Sequence, residues 1–142
     1  MPGLGGLDGR GDRTRLAGII GWPVDESLSP AIHNAAFQAL GLDWTYVTLP
    51  VPPRKLRRAF RKLRRTARFG GANVTMPHKE GAARLVDELT EDARLLRAVN
   101  TIALGPGGFA GHNTDAPGFT RFLEDDAGYD PAGRSALVLG AG

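Results

Sequence analysis

The sequence predicts an α/β fold with a largely parallel sheet and one antiparallel hairpin. Three observations carry this. Short apolar or β-branched runs alternate with segments of helical periodicity, the order that βαβ connections produce. Glycine and proline punctuate nearly every boundary. Val99 to Leu104 and Phe109 to His112 are separated only by Gly105-Pro106-Gly107-Gly108, the pattern of a hairpin.

In chain order, Met1 to Arg13 is glycine-rich with no apolar core. It is expected to be a disordered tail over 1–14, and not a secretory signal. Leu16 to Ile20 reads as a buried strand ending at Gly21. After a loop, Ser29-Pro30 reads as a cap followed by proline in the first turn. Ile32, Ala35, Ala36, Ala39 and Leu40 form one apolar stripe, and Gly41 stops that helix. Trp44 to Leu49 is rich in aromatic and β-branched residues, a second strand broken by Pro50, Pro52 and Pro53.

A basic helix follows, with Leu56, Ala59, Phe60, Leu63 and Ala67 at helical spacing. Gly70-Gly71 is expected to turn the chain into a third strand, Ala72 to Met76. Pro77 lacks the N–H that a central strand needs, so the chain leaves the sheet there. Lys79 then falls at the start of a short helix reaching Val86. Thr90 can cap the next helix, with Glu91 and Asp92 at its positive end. Past the hairpin, Asn113-Thr114-Asp115 opens a helix carrying Phe119, Phe122 and Leu123. Ala127 to Ser135 has linker composition. Ala136-Leu137-Val138-Leu139 then runs as an apolar strand into Gly140-Ala141-Gly142, the way a dinucleotide-binding βαβ unit begins.

The 142 residues suffice for one core, and 42% hydrophobic with 23% charged residues is ordinary for a soluble domain. Cys is absent, which excludes disulfides and thiolate metal sites and suits a reducing cytoplasm. No apolar run reaches the ~20 residues of a membrane span. The +3 net charge is uneven. Nine Lys/Arg and no acid lie between Pro52 and Phe69, while the remainder is net −6. The basicity therefore belongs to one helix, read as a solvated outer face over a sheet. It lacks the interleaved aromatics of a nucleic-acid stacking surface.

Four polar clusters stand at strand ends or helix starts: Ser27/Ser29, Asn73/Thr75/Lys79, Asn100/Thr101 and Asn113/Asp115. In α/β sheets ligands bind at such places. Amide, hydroxyl and ammonium groups together suit a polyhydroxylated ligand. Each cluster taken alone has an ordinary explanation as a cap, a strand-entry residue or a dipole partner. His33, His78 and His112 stand singly without a ligand pattern, so no metal is expected.

These segments together resemble the shikimate dehydrogenase family. The resemblance runs through Gly21-Trp22-Pro23, Ser27-Leu28-Ser29-Pro30 with His33-Asn34, and Gly71-Ala72-Asn73-Val74-Thr75-Met76-Pro77-His78-Lys79. It continues through Ala98-Val99-Asn100-Thr101 and Gly111-His112-Asn113-Thr114-Asp115 with Gly118. The family's order and spacing are kept from about Leu16 to the last residue. The resemblance implies a three-layer sandwich with a mostly parallel mixed sheet flanked by helices, the amino-acid-dehydrogenase-like N-terminal domain. It implies NADPH-dependent reduction of 3-dehydroshikimate to shikimate, on the way to chorismate and aromatic amino acids. Ser27 and Ser29 would hold the carboxylate; Asn73, Thr75, Asn100 and Asp115 the ring hydroxyls; Lys79 and Asp115 the reacting carbonyl.

The expected organisation is a shikimate-binding catalytic domain over 15–126. Residues 127–142 would be a linker with the first strand and Gly-x-Gly of a truncated NADP-binding domain. Gly140 and Gly142 would belong to its incomplete cofactor motif. The chain alone would then not transfer hydride. Small-molecule substrate is the expected partner, with neither nucleic acid nor membrane, and a homodimer is compatible. Two alternatives stand beside this: a quinate/shikimate enzyme, and a non-catalytic binding module derived from the family. One departure is Glu26, where many members carry His before the first serine.

Overall fold

The computed structural model describes residues 13–140. The expected tail up to residue 12, and Gly142, lie outside the described residues. Six strands form one mixed sheet in the order β2-β1-β3-β5-β6-β4. They are β1 (Arg15–Gly21), β2 (Trp44–Pro50), β3 (Phe69–Val74), β4 (Glu88–Leu89), β5 (Thr101–Gly105) and β6 (Gly108–His112). Pairing is parallel for β1/β2, β1/β3 and β4/β6, and antiparallel for β3/β5 and the β5/β6 hairpin. The helices are α1 (Ser29–Ala39), α2 (Leu56–Arg64), α3 (Lys79–Ala83), α4 (Glu91–Leu96) and α5 (Asp115–Arg121).

Alternation along β1 sends side chains to two cores. Ile20 joins Leu56, Phe60 and Leu63 of α2 with Phe69, Val74, Ile102 and Phe109. Ala17 and Ile19 join Val24 and Tyr46, with Phe37 of α1 packed against them. Helices therefore cover both faces of the sheet, and the α/β sandwich expectation holds. β4 had no signal of its own: two residues do not make a periodicity.

Several expectations change in detail. Gly70 and Gly71 lie inside β3 and do not turn the chain. They serve close approach: a Cβ at Gly70 would meet the Trp44 ring at 2.5 Å, and one at Gly71 the Ile102 carbonyl oxygen at 2.6 Å. Ser29 does not cap α1; Leu28 occupies that position, and the Ser29 amide instead donates to Ser27 Oγ at 3.2 Å. Ala67 is exposed beyond the end of α2, and α3 ends at Ala83.

The apolar stripe of α1 faces outward. Ile32 and Leu40 are 65% and 71% exposed. The helix docks through His33, Asn34 and Phe37. Asn34 Nδ2 donates to the Tyr46 carbonyl at 2.9 Å, and the Tyr46 amide donates to Asn34 Oδ1 at 2.8 Å. One side chain thus satisfies backbone groups along the outer edge of β2, which would otherwise stay open for pairing. Phe119 and Phe122, around the end of α5, are also exposed.

The expected strand at Ala136–Leu139 does not form. Leu137, Val138 and Leu139 are exposed and irregular. A strand is held by its neighbours' hydrogen bonds, and no described strand pairs with this segment.

Candidate active site

The site is built where β3 ends, where β5 begins and where α5 starts. Val74 closes β3, and the Thr75 amide donates to the Ile20 carbonyl at 2.9 Å, so the chain still follows β1 as it leaves the sheet. His78 is buried, and its Nε2 donates to the Val51 carbonyl at 2.6 Å. The Lys79 carbonyl accepts from the Val99 amide at 3.0 Å. These bonds fix the first turn of α3, from which Lys79 projects. Asn113 plays the same part for α5. It is buried, donates to the Ala98 carbonyl at 3.0 Å, and accepts from the Asp115 amide at 3.0 Å.

Lys79 and Asp115 meet. Lys79 Nζ donates to Asp115 Oδ2 at 2.7 Å across 36 residues of sequence. Asp115 Oδ1 accepts from Asn100 Nδ2 at 2.8 Å. Burial alone would raise the Asp115 pKa; hydrogen bonds from Lys79 and Asn100, with the lysine charge, outweigh it and hold the carboxyl below its ordinary value. Asp115 is therefore a carboxylate at neutral pH, and it keeps an ammonium beside it.

The chain of contacts continues through Thr101, grouped with Asn100 in the sequence but given no role, to Asn73 and then to Tyr46, which the sequence did not mark. Thr101 Oγ1 donates to Asn100 Oδ1 at 3.0 Å and accepts from Asn73 Nδ2 at 3.3 Å. Asn73 Oδ1 accepts from the Tyr46 hydroxyl at 2.6 Å. Burial pushes the Tyr46 phenol up to about 12, against a smaller lowering by the Ser29 hydroxyl, so it stays a donor. His33 stacks on the Tyr46 ring at 4.3 Å. Tyr46 reads in sequence as one more strand aromatic; only strand alternation, setting it on the face of Ala17 and Ile19, hints at a role.

On the other side lies a cleft of about 490 Å³, lined by Ser27 and Thr75 with Ile19, Pro23, Val24, Asp25 and Glu26. Ser27, Thr75, Asn73, Asn100, Lys79 and Asp115 thus gather at one end of the sheet. Ser29 sits behind Ser27, its amide on the Ser27 hydroxyl and its own hydroxyl beside Tyr46. Glu26 stands in the cleft wall next to the hydroxyl expected to take a carboxylate. Gly140 is remote from this constellation in sequence and has a positive φ of 95° in an exposed segment. Among the described residues no group of three or more His, Asp or Glu is gathered to hold a metal ion. No described helix is long and apolar enough to cross a membrane.

A family model described as the shikimate dehydrogenase substrate binding domain matches residues 19–102. The chain belongs to this family. It is 52% identical over 130 residues to shikimate dehydrogenase (NADP(+)) of Geobacter metallireducens, covering 92% of this chain and 45% of that protein. It is 53% identical over 130 residues to the Rubrobacter xylanophilus protein of the same name, covering 91% and 45%. The chain thus spans under half the length of the curated relatives it matches. Among solved structures, shikimate 5-dehydrogenase from Listeria monocytogenes in complex with shikimate and NAD superposes with a TM-score of 0.77 at 38% identity. The match covers 84% of this chain and 41% of that one. The ligand-free 5-ketofructose reductase of a Gluconobacter strain superposes with a TM-score of 0.74 at 32% identity, covering 80% and 41%.

Proposed function

We propose that this chain forms the substrate-binding part of an NADP-dependent shikimate dehydrogenase, which reduces 3-dehydroshikimate to shikimate. The observation that carries the reading is the Lys79–Asp115 pair at 2.7 Å, tied through Asn100 and Thr101 to Asn73, with Thr75 next along the chain lining a cleft together with Ser27. In this reading Ser27 and Ser29 hold the acid end. Asn73, Thr75 and Asn100 meet ring hydroxyls. The binding domain runs over 15–126, and 127–142 leads toward a cofactor domain in a cytoplasmic enzyme.

Leu137 to Leu139 are exposed and irregular, and Gly140 has a positive φ of 95°; in this reading Gly140 and Gly142 belong to the opening of the dinucleotide motif. This chain's own share is to bind, orient and hold a proton. A carbonyl that is being reduced gains negative charge on oxygen. The Lys79 ammonium stabilises that charge and supplies the proton. Asp115 keeps the ammonium aimed, and Asn100 keeps Asp115 from rotating away.

Calorimetric titration of shikimate into this chain tests the binding half. Binding is expected, and is lost in Lys79→Ala. Wild-type affinity in both Lys79→Ala and Asp115→Asn overturns the role assignment.

A second reading is favoured by Asp25 and Glu26 in the cleft wall. Two carboxylates beside Ser27 disfavour an anionic substrate end and suit a neutral polyhydroxy ketone. A quinate/shikimate enzyme is a third variant on the same residues. Titrating shikimate, quinate and a neutral ketose in parallel separates them.

A further inference from the structure

We infer that Thr101 is a positioning residue of this site: its hydroxyl sets the Asn73 side chain to present an N–H donor, and not its carbonyl oxygen, to a ligand. This builds on the proposed function only in that the ligand is taken to be a polyhydroxylated molecule.

The inference follows from the direction of each hydrogen bond. Asp115 is ionised and can only accept, so Asn100 must turn its NH₂ group toward it, at 2.8 Å. A main-chain N–H can only donate, and the Thr114 amide donates to Asn100 Oδ1 at 3.0 Å. The Asn100 amide is therefore fixed from both ends. Its Oδ1 faces Thr101 Oγ1 at 3.0 Å, so the single hydroxyl hydrogen of Thr101 is spent there. Toward Asn73 the Thr101 oxygen can only accept, which brings Asn73 Nδ2 to it at 3.3 Å and leaves Asn73 Oδ1 to Tyr46 at 2.6 Å. Asn73 then has its oxygen engaged and a second N–H to offer.

The sheet puts these groups in register. Asn73 and Thr101 are directly opposed across the β3/β5 pair, and Asn73 lies opposite Ile19 across β3/β1. Ile19 lines the cleft, so the free N–H stands in the row of residues bordering it. An asparagine without Thr101 has only Tyr46 to choose its orientation, and a tyrosine hydroxyl can donate to Oδ1 or accept from Nδ2. Thr101 removes that ambiguity.

Thr101→Val keeps shape and burial while deleting the hydroxyl; Thr101→Ser keeps the hydroxyl. The Asn73 side-chain NH₂ resonances of the isotope-labelled chain, without ligand, are expected to broaden or double in Thr101→Val and to return to a single pair in Thr101→Ser. Shikimate affinity is expected to fall about tenfold in Thr101→Val, the size of one hydrogen bond. Asn73→Ala should cost a similar factor, and the double variant no more than the larger single loss, because Thr101 acts through Asn73. Unchanged Asn73 resonances in Thr101→Val, or losses that multiply in the double variant, overturn the inference. If shikimate fails to bind the wild-type chain, the proposed function falls and the resonance measurement alone decides for Thr101.

Discussion

The β3–β5–α5 wall and the 22–28 loop that lines the cleft hold their polar groups by different means. On the first wall, Asn73, Thr101, Asn100, Asp115 and Lys79 are bonded to one another in sequence. Each is anchored by a strand or by the first turn of a helix. On the loop, Ser27 Oγ accepts one amide at 3.2 Å, and Asp25 and Glu26 are exposed. A wall whose donors already point where charge develops loses little on binding, whereas a loop residue must be ordered by the ligand it meets. Under the proposed function this difference would be a division of labour: chemistry on the rigid wall, recognition of the substrate's far end on the loop.

Substitutions can break or sharpen this contrast, and they rank by wall. Lys79→Ala should be the most severe. In a protein extended to its relatives' length, turnover is expected to drop by about 10²–10⁴-fold, the range for losing a positioned proton donor. Steady-state kinetics check it, with circular dichroism unchanged. Asp115→Asn should follow, costing about tenfold or more in kcat because the ammonium loses its charged partner. Ser27→Ala should reach the loop side only: KM rises about fivefold to tenfold, the value of one hydrogen bond, with kcat held. An equal fall in kcat for Ser27→Ala would erase the contrast. Glu26→Gln is the smallest effect, a gain of a few-fold in shikimate affinity from removing one exposed negative charge, read by titration at low salt.

The wall should also respond to acid in a defined direction. The Asp115 pKa is depressed in the folded chain, so its contribution to stability is complete above the ordinary carboxylate value of 3.8 and is lost as pH falls through the lower, folded value. Asp87 behaves alike, because hydrogen bonds from Arg64 and from the Phe109 amide lower it. Chemical denaturation of wild type and Asp115→Asn should therefore converge as pH drops below about 4, and stay parallel above it.

The same contrast explains what was legible beforehand. Lys79 and Asp115 could each be placed at a helix start from local chemistry, and the family resemblance marked them as a pair. Thr101 and Tyr46 could not be assigned roles, because each acts only through a residue that another strand brings opposite. The helices repeat the point. The outer face of α2 is all charge and its inner face is Leu56, Phe60 and Leu63, so periodicity alone oriented it correctly. On α1 the apolar stripe points to solvent while Asn34 docks the helix on β2. Periodicity reports where apolar side chains lie around a helix, not which side finds a partner.

Local chemistry was enough to settle the class of fold and the start of α3, and it marked the polar groups now found at the end of the sheet. These depend on backbone dihedrals and side-chain groups that neighbours along the chain control. Strand order, the close approach over Gly70 and Gly71, and the direction of every bond from Tyr46 to Asp115 were decided only by tertiary structure. Each of those requires a partner distant in sequence, and a hydrogen bond has no direction until its partner is in place.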